Sequence, residues 1–379
     1  MDLIQATYLA TCPDRDPAIL AENIAREQSL ELLRELIPDA IAERYLGRVI
    51  SVNQLDDDRH ELTIGYPVEL ASGQVGQLLH LAYGNVSFYP RIRLTGLSLP
   101  DSLLSKLPGP RAGIKGIRAQ VDAFDRALLM TVLKPRGSAP EVLADQALRF
   151  ARGGGDLLKD DQNLVECDIT QFRTRINLCS EAIDKAAQST GRKCLYLPHV
   201  AGSGAHLERQ LELVADCGLS GVVMCTWVMG LETASSAASR HGLMWLAHPA
   251  MAGVFTEPTD RGISTSVMLG TLVRLAGADI SIFPGSGGRI SSSHGDDESA
   301  ICRALVDPLG NLKATLPCTG GGKSLAQAPE IARTIGPDCA ILVGGDLLAQ
   351  GESMESATRK TIAALGGEAR GGAACREEG

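Results

Sequence analysis

The segment GGGDLLKDDQN (153–163) sets a lysine and two aspartates, Lys159, Asp160 and Asp161, directly after a short apolar run. Charged groups at the mouth of a buried sheet are expensive to leave unpaired. A hard cation such as Mg2+ would use them, because it takes one or two carboxylates together with waters and substrate oxygens. A solvated turn would use them too, with Asp160 or Asp161 capping the next helix. On spacing alone the two readings stand level. Further polar groups recur in the same kind of place: Lys134, His199, His248, Thr319, Gly344 and Gly345 all lie at or just past the end of an apolar run. His199, followed by AGSGAH, reads either as a pocket residue or as a satisfied structural histidine.

The elements that must carry these residues are legible from the rhythm of the chain. Eight apolar runs follow one another: 127–135, 155–161, 194–200, 221–228, 243–249, 278–285, 313–321 and 339–346. Helix-like stretches such as APEVLADQALRFARGG and GAHLERQLELVADCG separate most of them. Buried parallel strands alternating with amphipathic helices fit a doubly wound sheet or a (β/α)8 TIM barrel, and the count of eight decides for the barrel. In a barrel the C-terminal strand ends form the catalytic face, so chemistry on nearly every end favours an enzyme over a binding scaffold. Before the barrel, LIQATYLAT, RYLGRVISVNQ, HELTIGYPV and SFYPRIRLTGLSL read as strands, with a helix from Asp16 to Glu27 between the first two. Pro17 sits just inside that helix and Asp16 is its candidate cap. The expected organisation is a small α+β, ferredoxin-like domain over 1–120 and a catalytic barrel over 121–379, with LPGPRAGIKG (107–116) as linker.

Composition narrows the function classes. The 379 residues carry 45 acidic and 36 basic side chains, a net charge of −9, with only 4% aromatic residues. Such a chain repels phosphate backbones and offers few stacking platforms, so no nucleic-acid partner is expected. With 44% hydrophobic residues a large core is available, yet the longest near-apolar run, Gly218 to Leu231, is too short to span a membrane. No signal peptide is visible in MDLIQATYLATCPDRD, and none of the ten cysteines forms a C-x-x-C pair, which together point to a reduced, cytoplasmic protein. TGGGKS (319–324) ends like a phosphate loop, but Pro317 stands where that motif needs glycine. HGDDES (294–299) reads as an acidic solvated loop, His206 and His241 as helix-surface residues, Trp227 and Trp245 as packing, and the tail EARGGAACREEG as frayed.

Two segments resemble a known family. GGGDLLKDDQN is similar to the G-x-D-x-x-K-x-D-E signature of ribulose-bisphosphate carboxylase (RuBisCO), and LLMTVLKPRG (128–137) resembles the motif that ends its first barrel strand. The resemblance implies that Lys159 takes up CO2 as a carbamate and, with Asp161 and the residue at 162, ligates Mg2+. It further implies that Lys134 moves protons on the substrate, that His248 lies beside it, and that Gly320, Gly321, Gly344 and Gly345 hold a phosphate through their amides. Thr319 would replace a substrate-binding serine. Asn85, and more weakly Glu27, would reach the active site of a partner subunit, so a homodimer is implied.

Departures from the pattern carry equal weight. Gln162 replaces the glutamate ligand, Pro249 an arginine, and SIFPG (281–285) lacks a phosphate-binding histidine. The loop GSGGRISSSHG (285–295) has no lysine to present to CO2, with Arg289 as a stand-in for charge only. Asp346 replaces a glycine beside the phosphate glycines. The chain therefore resembles the RuBisCO-like, form IV branch, not a genuine carboxylase. One phosphate grip kept and one stripped implies a monophosphorylated sugar or sugar acid. Loss of one negative charge at 162 leaves room for a substrate carboxylate, favouring decarboxylation or carbon–carbon cleavage of a 3-oxo acid phosphate. The alternatives are enolisation or isomerisation of a phosphoketose, as in methionine-salvage relatives, and a catalytically silent sugar-phosphate binder.

Overall fold

In the computed structural model, which describes residues 2–13, 15–290 and 298–366, the chain forms thirteen strands among those residues. Four belong to the first part of the chain: β1 (Leu3–Thr11), β2 (Arg48–Gln54), β3 (Arg59–Pro67) and β4 (Ile92–Ser98). Eight more alternate with helices: β5 (Leu128–Leu133), β6 (Leu157–Asp160), β7 (Leu195–Leu197), β8 (Gly221–Met224), β9 (Met244–Ala247), then, after the two-residue β10 (Gly262–Ile263), β11 (Ile280–Pro284), β12 (Leu316–Gly320) and β13 (Ala340–Leu342). The acidic loop HGDDES, apart from Glu298 and Ser299, and the tail EARGGAACREEG lie outside the described residues.

Strict alternation makes β1 a half-buried strand, with Ile4, Ala6, Tyr8 and Ala10 facing the core. It pairs antiparallel with β3 and β4, β2 pairs with β3, and the short β10 from the later part of the chain adds parallel to β4, giving the order β10–β4–β1–β3–β2. Helices Pro17–Glu27 and Val75–Tyr83 connect β1 to β2 and β3 to β4, completing the split β-α-β arrangement of a ferredoxin-like domain. Asp16 caps the first helix, accepting from the Ala18 amide at 2.8 Å. The strands expected from Arg44 and Ser87 start later, at Arg48 and Ile92, because helix Asp39–Tyr45 and the turn Asn85–Phe88 occupy the preceding residues.

The eight later strands form one parallel sheet in the order β7–β6–β5–β13–β12–β11–β9–β8. Its two ends meet: the Val223 amide donates to Pro198 O at 2.8 Å and the Val200 amide to Val223 O at 3.1 Å. The sheet is therefore a closed barrel and not a doubly wound layer. The expected linker is only partly one. Gly113–Val121 is a helix, and its Ile114, Ile117 and Val121 plug the N-terminal end of the barrel. Asp279, far along the chain, accepts from the Ala112 and Gly113 amides at 2.7 and 2.8 Å and so satisfies the start of that helix.

Candidate active site

Side chains of a strand alternate between its two faces, and in this barrel the period of two sorts the reactive residues. Leu128, Met130, Leu157, Leu195, Leu197, Val223, Met244, Leu246, Ile280, Ile282, Leu316, Cys318 and Ala340 fill the interior. Steps of two from these reach Lys134, Lys159, Asp161, His199, Cys225, His248, Gly320 and Gly344. All of these stand at the C-terminal mouth. The residues between them face the surrounding helices.

Asp160 is one of the outward residues, and it is fully buried. Its carboxylate accepts from the Arg175 Nη1, from the Tyr196 hydroxyl at 2.8 Å and from the His199 amide at 2.9 Å. Arg175 in turn grips Glu166 through Nε at 2.5 Å and Nη2 at 2.9 Å. This closed network leaves Asp160 a wall residue, and the following helix is capped instead by Asp168, which accepts from Thr170 N at 2.8 Å. Asp161 faces the mouth. One of its oxygens closes a turn by accepting from the Asn163 amide at 2.9 Å, and the other lies 3.7 Å from Lys134 Nζ.

Lys159 is buried, with Nζ donating to Asp160 O at 2.7 Å. Burial outweighs the attraction of Asp161 and Asp160 and lowers its pKa to about 8. Lys134 is half-buried, its carbonyl held by the Gln146 amide nitrogen at 2.9 Å. His248 is held well below the ordinary histidine range by burial, with the Lys159 and His199 charges acting in the same sense, so the ring is neutral at physiological pH. His199 is lowered as well, chiefly by burial. Between the two rings stands a residue that the sequence motifs did not single out. Cys225 Sγ lies 3.7 Å from His199 Nε2 and 3.9 Å from His248 Nδ1. The signal was available, since Cys225 follows Val223 by two.

The same parity corrects the reading of Thr319. Its neighbours Leu316 and Cys318 line the interior, so its side chain faces the helix layer, where Oγ1 is fully buried without a protein partner. Gly320 takes the inward place. Gly321 has φ +94°, and the loop after β11 packs on it: the Ile290 amide donates to Gly321 O at 2.8 Å. Arg289 is exposed on that loop, its backbone against Gly322. Gly344 approaches Val132 and Lys134 so closely that a Cβ there would stand 2.8 Å from Val132 Cγ1, while Gly345 is open to solvent. Asp346 turns away from the glycines and accepts from the Leu325 amide at 2.7 Å. Gln162 is half-buried in the turn beside Asp161. Asn85 and Glu27 meet on the N-terminal domain, Asn85 Nδ2 donating to Glu27 Oε1 at 3.1 Å.

Comparison with known proteins fits this geometry. Residues 113–364 match the profile of the ribulose bisphosphate carboxylase large chain, catalytic domain. The chain belongs to the RuBisCO large-chain family. It is 34% identical to 5-methylthioribulose-1-phosphate isomerase of Rhodospirillum rubrum over 98% of both chains, and 30% identical to 2,3-diketo-5-methylthiopentyl-1-phosphate enolase of Bacillus licheniformis over 92% of this chain and 87% of that one. The crystal structure of the Rubisco-like protein from Rhodopseudomonas palustris superimposes with a TM-score of 0.86 at 32% identity, covering 97% of this chain and 98% of that one. The protein is thus a RuBisCO-like enzyme of the form IV type. No helix among the described residues is long and apolar enough to cross a membrane.

Proposed function

We propose that this RuBisCO-like enzyme moves a proton at the carbon beside the carbonyl of a monophosphorylated ketose, as an isomerase or enolase, without adding CO2. The observation that carries the reading is the convergence of Lys134, Lys159, Asp161 and His248 on one barrel mouth. The names of the isomerase and enolase relatives support the same class of substrate.

Among the described residues no three His, Cys, Asp or Glu side chains are disposed to hold a metal ion. Asp161 and Gln162 offer oxygens, and a carbamate on Lys159 would supply the missing anionic ligand, so the donor set fits Mg2+ provided CO2 has first added to that lysine. When bound, Mg2+ supplies positive charge that stabilises an oxyanion developing on the substrate. Lys159 is suited to carbamate formation because its lowered pKa leaves part of it as free amine at neutral pH. Lys134 exchanges a proton with the substrate, and neutral His248 donates a hydrogen bond to the oxygen that becomes charged. The amides of Gly320, Gly321, Gly344 and Gly345 take the phosphate, with Arg289 adding charge at the rim.

Gln162 favours a second reading, decarboxylation or carbon–carbon cleavage of a 3-oxo acid phosphate, in which the substrate carboxylate restores the charge missing at that position. The site is completed by a homodimer in this proposal. The Asn85–Glu27 pair adjoins Phe88, which is 89% exposed, and exposed Met251 and Val254 follow His248. Phosphorus NMR in D2O with Mg2+ and bicarbonate, over monophosphorylated ketoses and 3-oxo acid phosphates, tests the reading. Deuterium in an isomerised product is expected for the wild type and no turnover for Lys159→Ala. Unchanged activity in that variant, or carboxylation of a bisphosphate, overturns it.

A further inference from the structure

Cys225 belongs to neither the metal shell nor the phosphate grip, yet it stands in the mouth layer just past β8, between the strands whose ends carry His199 and His248. The order of donors around it can be worked out. A backbone N–H only donates, and the Ala250 amide lies 3.2 Å from His248 Nδ1. That nitrogen is therefore the lone-pair nitrogen, and in a neutral ring the proton is on Nε2. Cys225 Sγ faces the same Nδ1 at 3.9 Å, so the thiol contributes its S–H there. His199 Nε2 lies on the other side of the sulfur, at 3.7 Å. The Ala250 amide and the Cys225 thiol both donate toward His248 Nδ1 and leave His248 Nε2–H for a ligand.

We propose that Cys225 is a positioning residue, which with the Ala250 amide pins His248 in the Nε2–H tautomer and aims that N–H at the substrate oxygen that gains charge. The proposal rests on the reading of His248 as a substrate-facing group. Polarisation of the ring by these two donors strengthens its Nε2–H, because the bonds are made in a low-dielectric setting. Serine keeps both a donor and an acceptor at this point, whereas alanine keeps neither.

The test is nitrogen-15 NMR of the histidine rings in the metal-free protein, together with steady-state kinetics of wild type, Cys225→Ser and Cys225→Ala. The expected wild-type signature is a neutral His248 with its proton on Nε2. In Cys225→Ala a second tautomer appears and kcat falls roughly three- to tenfold with KM little changed, the loss typical of one neutral hydrogen bond. Cys225→Ser restores both the signature and most of kcat. A wild-type His248 protonated on Nδ1, or a Cys225→Ala protein with wild-type ring shifts, overturns the proposal. The NMR arm needs no turnover, so it fails or succeeds independently of the proposed reaction.

Discussion

Replacing Lys159 by methionine removes a buried amine and keeps most of the side chain's reach. The site lowers the lysine from its ordinary 10.5 to about 8, with burial the dominant cause. Holding the ammonium there below pH 8 therefore costs the folded protein about 3 kcal/mol relative to the unfolded chain. Methionine escapes that cost but forfeits the hydrogen bond to Asp160 O, worth about 1 kcal/mol. Lys159→Met should thus be more stable than wild type by about 2 kcal/mol at pH 7, without Mg2+ or bicarbonate, while being inactive. The unfolded chain holds the extra proton between pH 8 and 10.5, so wild-type stability rises across that window. The advantage of the variant is greatest below pH 8 and fades toward 10.5. The same shift leaves roughly a tenth of the lysine as free amine at pH 7, against well under a thousandth for an exposed one. Thermal melting from pH 7 to 10 checks the stability, and a second series with Mg2+ and bicarbonate should stabilise only the wild type. A variant less stable than wild type at pH 7, or an advantage that grows with pH, would refute the reasoning.

Two further outcomes follow from named contacts. Gly321 sits at φ +94°, and a Cβ there would run into Ile290 O, so Gly321→Ala should strain the glycine loop. KM for the phosphorylated substrate should rise roughly tenfold, about 1.4 kcal/mol, with a smaller change in kcat, and an unchanged KM would remove this loop from the phosphate site. Phe88→Asp puts a charge on an apolar side chain that is 89% exposed beside Asn85. Analytical ultracentrifugation should show a monomer with activity down more than tenfold, whereas a stable dimer of that variant would move the interface elsewhere.

Much of this architecture was readable because the barrel strands announce themselves. Continuous apolar runs such as GVVMCTWV and ADISIFPG are what a sheet buried on both faces demands, and eight of them left one closed solution. Lys159 and Asp161 were singled out by the resemblance of GGGDLLKDDQN to the family signature, not by spacing, although residues two apart at a strand end do share one face. What the run of letters concealed was the face itself. Asp160 looked equal to Asp161 until the sheet turned it toward Arg175, a residue of the following helix that no local pattern ties to it. Thr319 shows the hazard most sharply: resemblance to the family put it at the substrate, while the inward places of Leu316 and Cys318 turn it outward and hand that position to Gly320. Cys225 failed in the opposite direction. A thiol inside an apolar run is ordinarily core, and only closure between β7 and β8 brings it between two histidines from the neighbouring strands. The lesson is specific to barrels. Once one interior residue per strand is assigned, counting by twos to the strand end names the residues that can meet, and here it names a cysteine where similarity to the family had pointed to none.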